Sequence, residues 1–264
     1  MHKTVADILG TEEKIAVLTS YDYTTARICD NAGIDILLVG DSAGMVMLGY
    51  PNTIPVTMEQ MCLFTSAVSR ARRNAMITAD LPFMSYQASK TDAIANSGRL
   101  IRAGADAVKL EGGYKISDTV SAIVTSGIPV MGHIGLQPQT TILSQGYAVQ
   151  GGTEESAARL LRDAQSLEEA GAFSIVLERV ARDTAGMITD EVSIPTIGIG
   201  SGPHCNGQVL VIHDILGLYE KKFGFVKRYR NLSREIEDAV SEYIADVRGS
   251  VFPEPDRGRS PQER

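Results

Sequence analysis

Eight short apolar runs, alternating with longer amphipathic stretches, constrain what this chain can fold into more than any other feature. The runs are Ile15–Asp22, Asp35–Asp41, Ala75–Pro82, Ala107–Gly112, Pro129–Gly135, Ser174–Val180, Pro195–Gly202 and Phe223–Tyr229. Helical patterns lie between them over Thr57–Asn74, Thr91–Ala105, Ser117–Ser126 and Glu154–Ala170. In the last, Ala157, Leu160, Leu161, Ala164 and Leu167 recur at helical spacing. Asn74, Gly104, Gly127 and Gly171 each stand just before the next run, where a helix C-cap belongs. Strands alternating with helices in an undivided chain imply a parallel sheet covered by helices. At 264 residues the economical closure is a single (β/α)8 TIM barrel over residues 1–251, followed by a Pro-, Arg- and Glu-rich tail over 252–264. A doubly wound open sheet is the alternative. It would carry an early G-x-G-x-x-G turn, and the first βα junction, Thr19-Ser20-Tyr21-Asp22-Tyr23, has none.

Buried strands should be apolar, so polar residues within or at the ends of these runs are informative. Asp41-Ser42 closes the second run and Asp80 the third; Lys109 and Glu111 interrupt the fourth. His133 falls in the fifth, Glu178 in the sixth and Ser201 in the seventh. In a barrel these ends face one mouth, where active sites are built. One such residue could be a helix cap; six successive strands with the same habit mark an active-site rim. Two long connections, residues 42–56 and 136–152, fall at the same end and suit lids or binding loops.

Several chemistries compete for these residues. Gly40-Asp41-Ser42-Ala43-Gly44 matches the G-x-S-x-G nucleophile elbow, but Met45–Pro51, with Gly49 and Pro51, does not open the helix that an elbow needs. Asp41 and Asp80 end adjacent strands and can reach one cation. Magnesium suits them, because it takes one or two carboxylates and keeps sites for water and substrate oxygens. Glu111 could hold a metal-bound water, and no Cys/His spacing fits zinc. Lys109 is suited to act as a point charge for a substrate carboxylate or as a Schiff-base amine. His133 offers a hydrogen bond or a proton, and Glu178 is a candidate general base. Gly198-Ile199-Gly200-Ser201-Gly202 lacks the third Gly of a dinucleotide fingerprint, since Pro203 stands there, and is read as a tight turn.

A net charge of −7 argues against a nucleic-acid partner. No run of about 18 apolar residues is present to cross a membrane. The N-terminus lacks the apolar core of a signal peptide. Cys29, Cys62 and Cys205 are few and unpatterned, which favours a reducing cytoplasm.

Several blocks, each modest alone, occur in a specific order and spacing. They are Leu18-Thr19-Ser20-Tyr21-Asp22, Gly40-Asp41-Ser42-Ala43-Gly44-Met45 and Asp80-Leu81-Pro82-Phe83-Met84-Ser85-Tyr86. Then follow Val108-Lys109-Leu110-Glu111-Gly112-Gly113, Gly132-His133-Ile134-Gly135-Leu136, Ile197-Gly198-Ile199-Gly200 and Gly207-Gln208-Val209-Leu210-Val211-Ile212-His213-Asp214. With them the chain resembles the ketopantoate (3-methyl-2-oxobutanoate) hydroxymethyltransferases from about Thr4 to Pro253. The resemblance implies a (β/α)8 barrel, a magnesium ion and a homo-oligomer, commonly a decamer. It also implies transfer of a hydroxymethyl group from methylene-tetrahydrofolate, or a related reduced pterin, to α-ketoisovalerate through a metal-stabilised enolate, giving ketopantoate for pantothenate and coenzyme A synthesis. Position by position, Asp41 and Asp80 resemble the metal ligands, with Glu111 near the metal through water. Ser42, Lys109 and His133 resemble the residues that hold the oxo acid beside those two carboxylates, and Glu178 resembles the catalytic base. The sequence departs from the family pattern at Ala43, after Glu178, and in the tail beyond Pro253. Two rivals are another magnesium-dependent oxo-acid barrel enzyme, of the phosphoenolpyruvate mutase/isocitrate lyase type, and a non-enzymatic oligomeric scaffold.

Overall fold

Parallel strands pair in sequence order and close on themselves: β1 Ile15–Thr19, β2 Ile36–Val39, β3 Met76–Asp80, β4 Ala107–Glu111, β5 Val130–Gly135, β6 Ser174–Glu178, β7 Thr196–Ile199 and β8 Gly207–Leu210. The computed structural model describes residues 2–140, 148–219 and 223–253. The seam is β1 against β8, in register from Ile15↔Gly207 to Leu18↔Leu210, so the barrel is complete. This is the (β/α)8 architecture expected from the alternation.

The helices are α1 Val5–Leu9, α2 Tyr23–Asn31, α3 Ala43–Val46, α4 Met58–Ala71, α5 Lys90–Arg102, α6 Ser117–Thr125, α7 Glu154–Glu169, α8 Arg182–Glu191, α9 Ile212–Leu216 and α10 Leu232–Arg248. Two compact units result, Met1–Ile212 with the whole barrel and His213–Arg264 with α10. Local chemistry sets the helix starts. Thr57 and Thr153 close capping boxes with Gln60 and Ser156, and the Ser89 hydroxyl accepts from the Asp92 amide. Gly104, Gly127 and Gly171 take positive φ just past α5, α6 and α7, as C-cap glycines should. Asn74 is not a cap: its amide and side chain donate to Asp30, whose carboxylate also receives the Arg73 and Ala75 amides.

The eighth strand differs from expectation. Phe223–Tyr229 lies outside any strand, and β8 is Gly207–Leu210. Only residues 200–206 separate β7 from β8, too few for the crossover helix that parallel strands ordinarily need. With no helix over it, Gln208 of β8 points outward and is exposed.

Within the barrel, Ile15, Val17, Ile36, Leu38, Met76, Ala107, Met131, Val176, Ile197 and Val209 form one apolar cluster, joined by Ile8 of α1 and by Phe173. Side chains alternate along a strand, so residues two apart share a face. The face that carries Met76 therefore carries Thr78 and Asp80, and Ala107 is followed by Lys109 and Glu111. Met131 is followed by His133, and Val176 by Glu178. On β3, β4 and β6 the interior face begins apolar and ends charged, and on β5 it leads to the His133 imidazole. The alternate set, including Leu37, Ile77, Val108, Leu110, Ile175 and Leu177, is fully buried beneath the helices.

Candidate active site

Strand register stacks the charged ends against one another. Asp80 lies opposite Lys109 across β3 and β4, and Glu111 opposite His133 across β4 and β5. Asp41, Asp80, Lys109, Glu111 and His133 are all buried. Asp41 joins the group through the turn after β2, where its backbone amide donates to Asp80 Oδ2 at 3.1 Å. Gly40 makes this possible, because a Cβ there would stand 2.8 Å from Ser42 Oγ and 3.6 Å from Asp80 Oδ2.

Lys109 is the cation of the cluster. Its Nζ lies 3.2 Å from Asp80 Oδ1 and 3.2 Å from His133 Nδ1. Burial works against its charge, but Asp80, Glu111 and Asp41 outweigh that and hold the ammonium above its ordinary range. An ammonium only donates, so His133 Nδ1 accepts and the ring proton sits on Nε2. That nitrogen stands 3.2 Å from Glu178 Oε2, on the far side of the ring from Lys109. Burial and then the Lys109 charge lower the His133 pKa, keeping the imidazole neutral. Glu178 is followed by Arg179 in a left-handed conformation, φ +48°. The Arg179 amide donates to Ile199 O and its carbonyl accepts from the Gln150 amide, both at 2.8 Å, which fixes the chain as it leaves β6.

The carboxylates respond to burial and to each other. Asp41 is pushed up to about 7, first by burial and then by Asp80, with Lys109 and the Gln139 amide pulling the other way. Burial also raises Glu111 well above the carboxylate range, against the pull of Lys109. Asp80 Oδ1 is buried and makes no hydrogen bond, its Lys109 contact lying off the bonding direction. Four carboxylates thus meet one permanent cation, an environment that favours a further positive charge. Among the described residues, no three His, Cys, Asp or Glu side chains close on one point as a protein-only cage would. The set is instead a carboxylate pair with a buried oxygen, Asp80 Oδ1, that is ion-paired but accepts no hydrogen bond, which fits magnesium, an ion that keeps waters and takes substrate oxygens. Glu111 lies outside the pair, with Oε2 accepting from the Gln139 amide at 3.0 Å and Oε1 3.7 Å from His133 Nδ1.

Ser42 Oγ lies 2.8 Å from the Tyr21 phenol oxygen, so its partner is a phenol and not an imidazole. Burial raises the Tyr21 pKa and keeps it a neutral hydroxyl. The segment after Ser42 does open one helical turn, α3, contrary to the expectation of a loop. It ends at Met47, and Gly49 follows at φ +70°. Gly44 serves packing and not ligand approach, since a Cβ there would meet Val56 Cγ2 at 2.4 Å. Ser201 is also spent on structure: its hydroxyl donates to Leu177 O at 2.6 Å and accepts from the Val180 amide at 3.0 Å. Residues 141–147 of the second long connection lie outside the described residues.

Three residues of this centre escaped sequence reasoning. Tyr21 and Tyr86 fall within the quoted blocks, but as aromatic residues they read as core. Gln139 is a neutral residue in a long connection, and no spacing rule singles it out.

Comparison with known proteins places the chain. The model of the ketopantoate hydroxymethyltransferase family matches residues 2–255. The 3-methyl-2-oxobutanoate hydroxymethyltransferase of Nitrosopumilus maritimus is 65% identical over 96% of this chain and 92% of its own length. That of Geobacter metallireducens is 56% identical over 98% of each. Among solved structures, a phosphoenolpyruvate phosphomutase from Streptomyces platensis subsp. rosaceus superposes with a TM-score of 0.63 at 13% identity, covering 94% of this chain and 88% of that one. A 2,3-dimethylmalate lyase superposes with a TM-score of 0.59 at 17% identity, covering 99% and 93%. These two likenesses concern the fold alone.

Proposed function

The chain belongs to the ketopantoate hydroxymethyltransferase family, a transferase of pantothenate synthesis, and from that premise we propose how its barrel mouth works. The reaction is transfer of a hydroxymethyl group from methylene-tetrahydrofolate, or a related reduced pterin, to α-ketoisovalerate. Asp41 and Asp80 would hold Mg2+, with Glu111 reaching it through water. When bound, the ion supplies Lewis-acid stabilisation of the charge that gathers on the substrate's 2-oxo oxygen.

The chain's own residues do the rest. Lys109, braced between Asp80 and His133, presents a fixed positive charge to the substrate carboxylate, and Ser42, oriented by Tyr21, adds a hydroxyl. Glu178 removes the proton from C3, and the neutral His133 beside it neither supplies that proton nor neutralises the carboxylate. The C3 electron pair then attacks the donor's methylene carbon and breaks one of its two C–N bonds, that nitrogen taking up the proton Glu178 removed. Water breaks the second C–N bond, giving its hydroxyl to the carbon and a proton to the nitrogen, so that the hydroxymethylated oxo acid and the free reduced pterin leave. One observation supports this reading above the others. A single polar layer sets the Glu178 carboxylate across one imidazole from the ammonium that pairs with Asp80.

The apolar stripe Ile236, Val240, Tyr243, Ile244 and Val247 on α10 is exposed, and no residue of that helix is buried, which supports a homo-oligomer. All three cysteines are free, in keeping with the cytoplasm. No helix among the described residues is long and apolar enough to cross a membrane.

The test is exchange of the C3 proton of α-ketoisovalerate with solvent, alongside ketopantoate formation with methylene-tetrahydrofolate. Asp80→Asn and EDTA-treated enzyme are expected to lose both. Full exchange in either would sink the metal-assisted scheme.

A further inference from the structure

Gln139 is 1% exposed, uncommon for a glutamine and more so for one on a long connection. It sits in the 3-10 turn Pro138–Thr140, just beyond β5. Every polar group it brings inward is engaged. Nε2 donates to Asp41 Oδ2 and to Leu81 O, both at 2.9 Å, which uses both amide hydrogens. Oε1 accepts from the Tyr86 hydroxyl at 2.8 Å, and the backbone amide donates to Glu111 Oε2 at 3.0 Å. Tyr86 is itself fixed, because its hydroxyl accepts from the Glu111 amide at 3.1 Å. One residue, through its side chain and its backbone amide, thus ties the ends of β2, β3 and β4 to the connection after β5.

We propose that Gln139 is a positioning residue that sets the affinity of the Asp41–Asp80 pair for its cation. Its amide claims one oxygen of Asp41 and fixes the plane of that carboxylate, leaving the other oxygen to a cation. Its backbone amide turns Glu111 in the same way. Groups that orient a ligand in this manner govern affinity without touching the metal. The inference rests on the proposed magnesium reading, and the experiment separates the two.

The test is calorimetric titration of Mg2+ into the full-length, EDTA-stripped protein. Gln139→Met keeps the volume and removes the side-chain hydrogen bonds while leaving the backbone bond to Glu111; its Kd for Mg2+ is expected to rise about 10- to 100-fold. Tyr86→Phe removes the hydroxyl that holds Gln139 Oε1, without touching Asp41, and should shift Kd the same way by less. It keeps the question answerable if Gln139→Met folds poorly. At saturating Mg2+, kcat of Gln139→Met should recover, because the residue acts through the cation. An unchanged Kd in Gln139→Met and Tyr86→Phe, even with a lowered melting temperature in EDTA, would show a merely structural role and overturn the proposal. Failure of the wild type to bind Mg2+ would overturn the metal reading itself, and this inference with it.

Discussion

Replacing Asp41 by Asn should make the metal-free protein more stable at pH 8 while abolishing its activity. The structure moves the Asp41 carboxyl from its ordinary 3.8 to about 7, chiefly by burial and then by the neighbouring Asp80. The folded state therefore holds this proton more tightly than the unfolded chain does. The stability so gained is complete below the ordinary carboxylate range and is lost as the pH rises through about 7. Going from 3.8 to about 7 corresponds to about 4 kcal/mol, an upper bound on what the buried anion costs at pH 8. Asn removes the charge at every pH, and its side-chain oxygen can still accept from Gln139 Nε2. The assay is the urea midpoint at pH 5 and pH 8, in EDTA and in excess Mg2+, at one protein concentration. In EDTA the variant should gain up to about 4 kcal/mol over wild type at pH 8 and less than half of that, about 1.5 kcal/mol, at pH 5, where the unfolded chain has already released this proton. Magnesium should close that gap by stabilising wild type alone. A variant less stable than wild type at pH 8, or a difference independent of pH, would refute the reasoning.

Glu178→Gln should bind α-ketoisovalerate with near-normal affinity but lose C3 proton exchange by about 10²- to 10⁴-fold, the usual contribution of a positioned base; calorimetry and solvent-exchange NMR check the two halves. Gly207→Ala should cost about 3 kcal/mol or more, with or without Mg2+, because the new Cβ would stand 2.5 Å from the Ile15 carbonyl oxygen and 2.7 Å from Ile197 Cδ1 at the β1–β8 seam. Gly152→Ala, which meets nothing within 4 Å, is the matched control, and denaturant midpoints compare the two.

The first seven strands were legible because a strand buried on both faces reads as an apolar run, and their true limits fall inside the expected ones. Asp80, Lys109, Glu111, His133 and Glu178 stood out for the same reason: charge inside a buried strand is costly and therefore conspicuous. Strand β8 was not legible. Its connection from β7 is too short to hold a helix, so the alternation that located the others runs past it. The turn α3 was hidden because the breakers Gly49 and Pro51 lie beyond a helix that needs only four residues. Gln139, Tyr21 and Tyr86 stayed hidden for a different reason. They serve through hydrogen bonds formed only when distant segments meet, and a neutral side chain in a loop leaves no periodic trace. Arg179 belongs with them, since its left-handed backbone answers to the Ile199 and Gln150 hydrogen bonds on either side and not to its own residue type.

The interior face that runs from Met76 through Thr78 to Asp80, and from Ala107 through Lys109 to Glu111, also limits how such an enzyme can change through descent. An insertion or deletion of one residue within β3 or β4 would turn the charged groups into the helix layer and bring Ile77 or Leu110 into the mouth, losing core and chemistry in one event. Length changes are therefore confined to the connections, while the strands can vary only by exchange of one side chain for another. Relatives of this protein should differ in length at residues 42–56 and 136–152 and keep the spacing of two between Lys109 and Glu111.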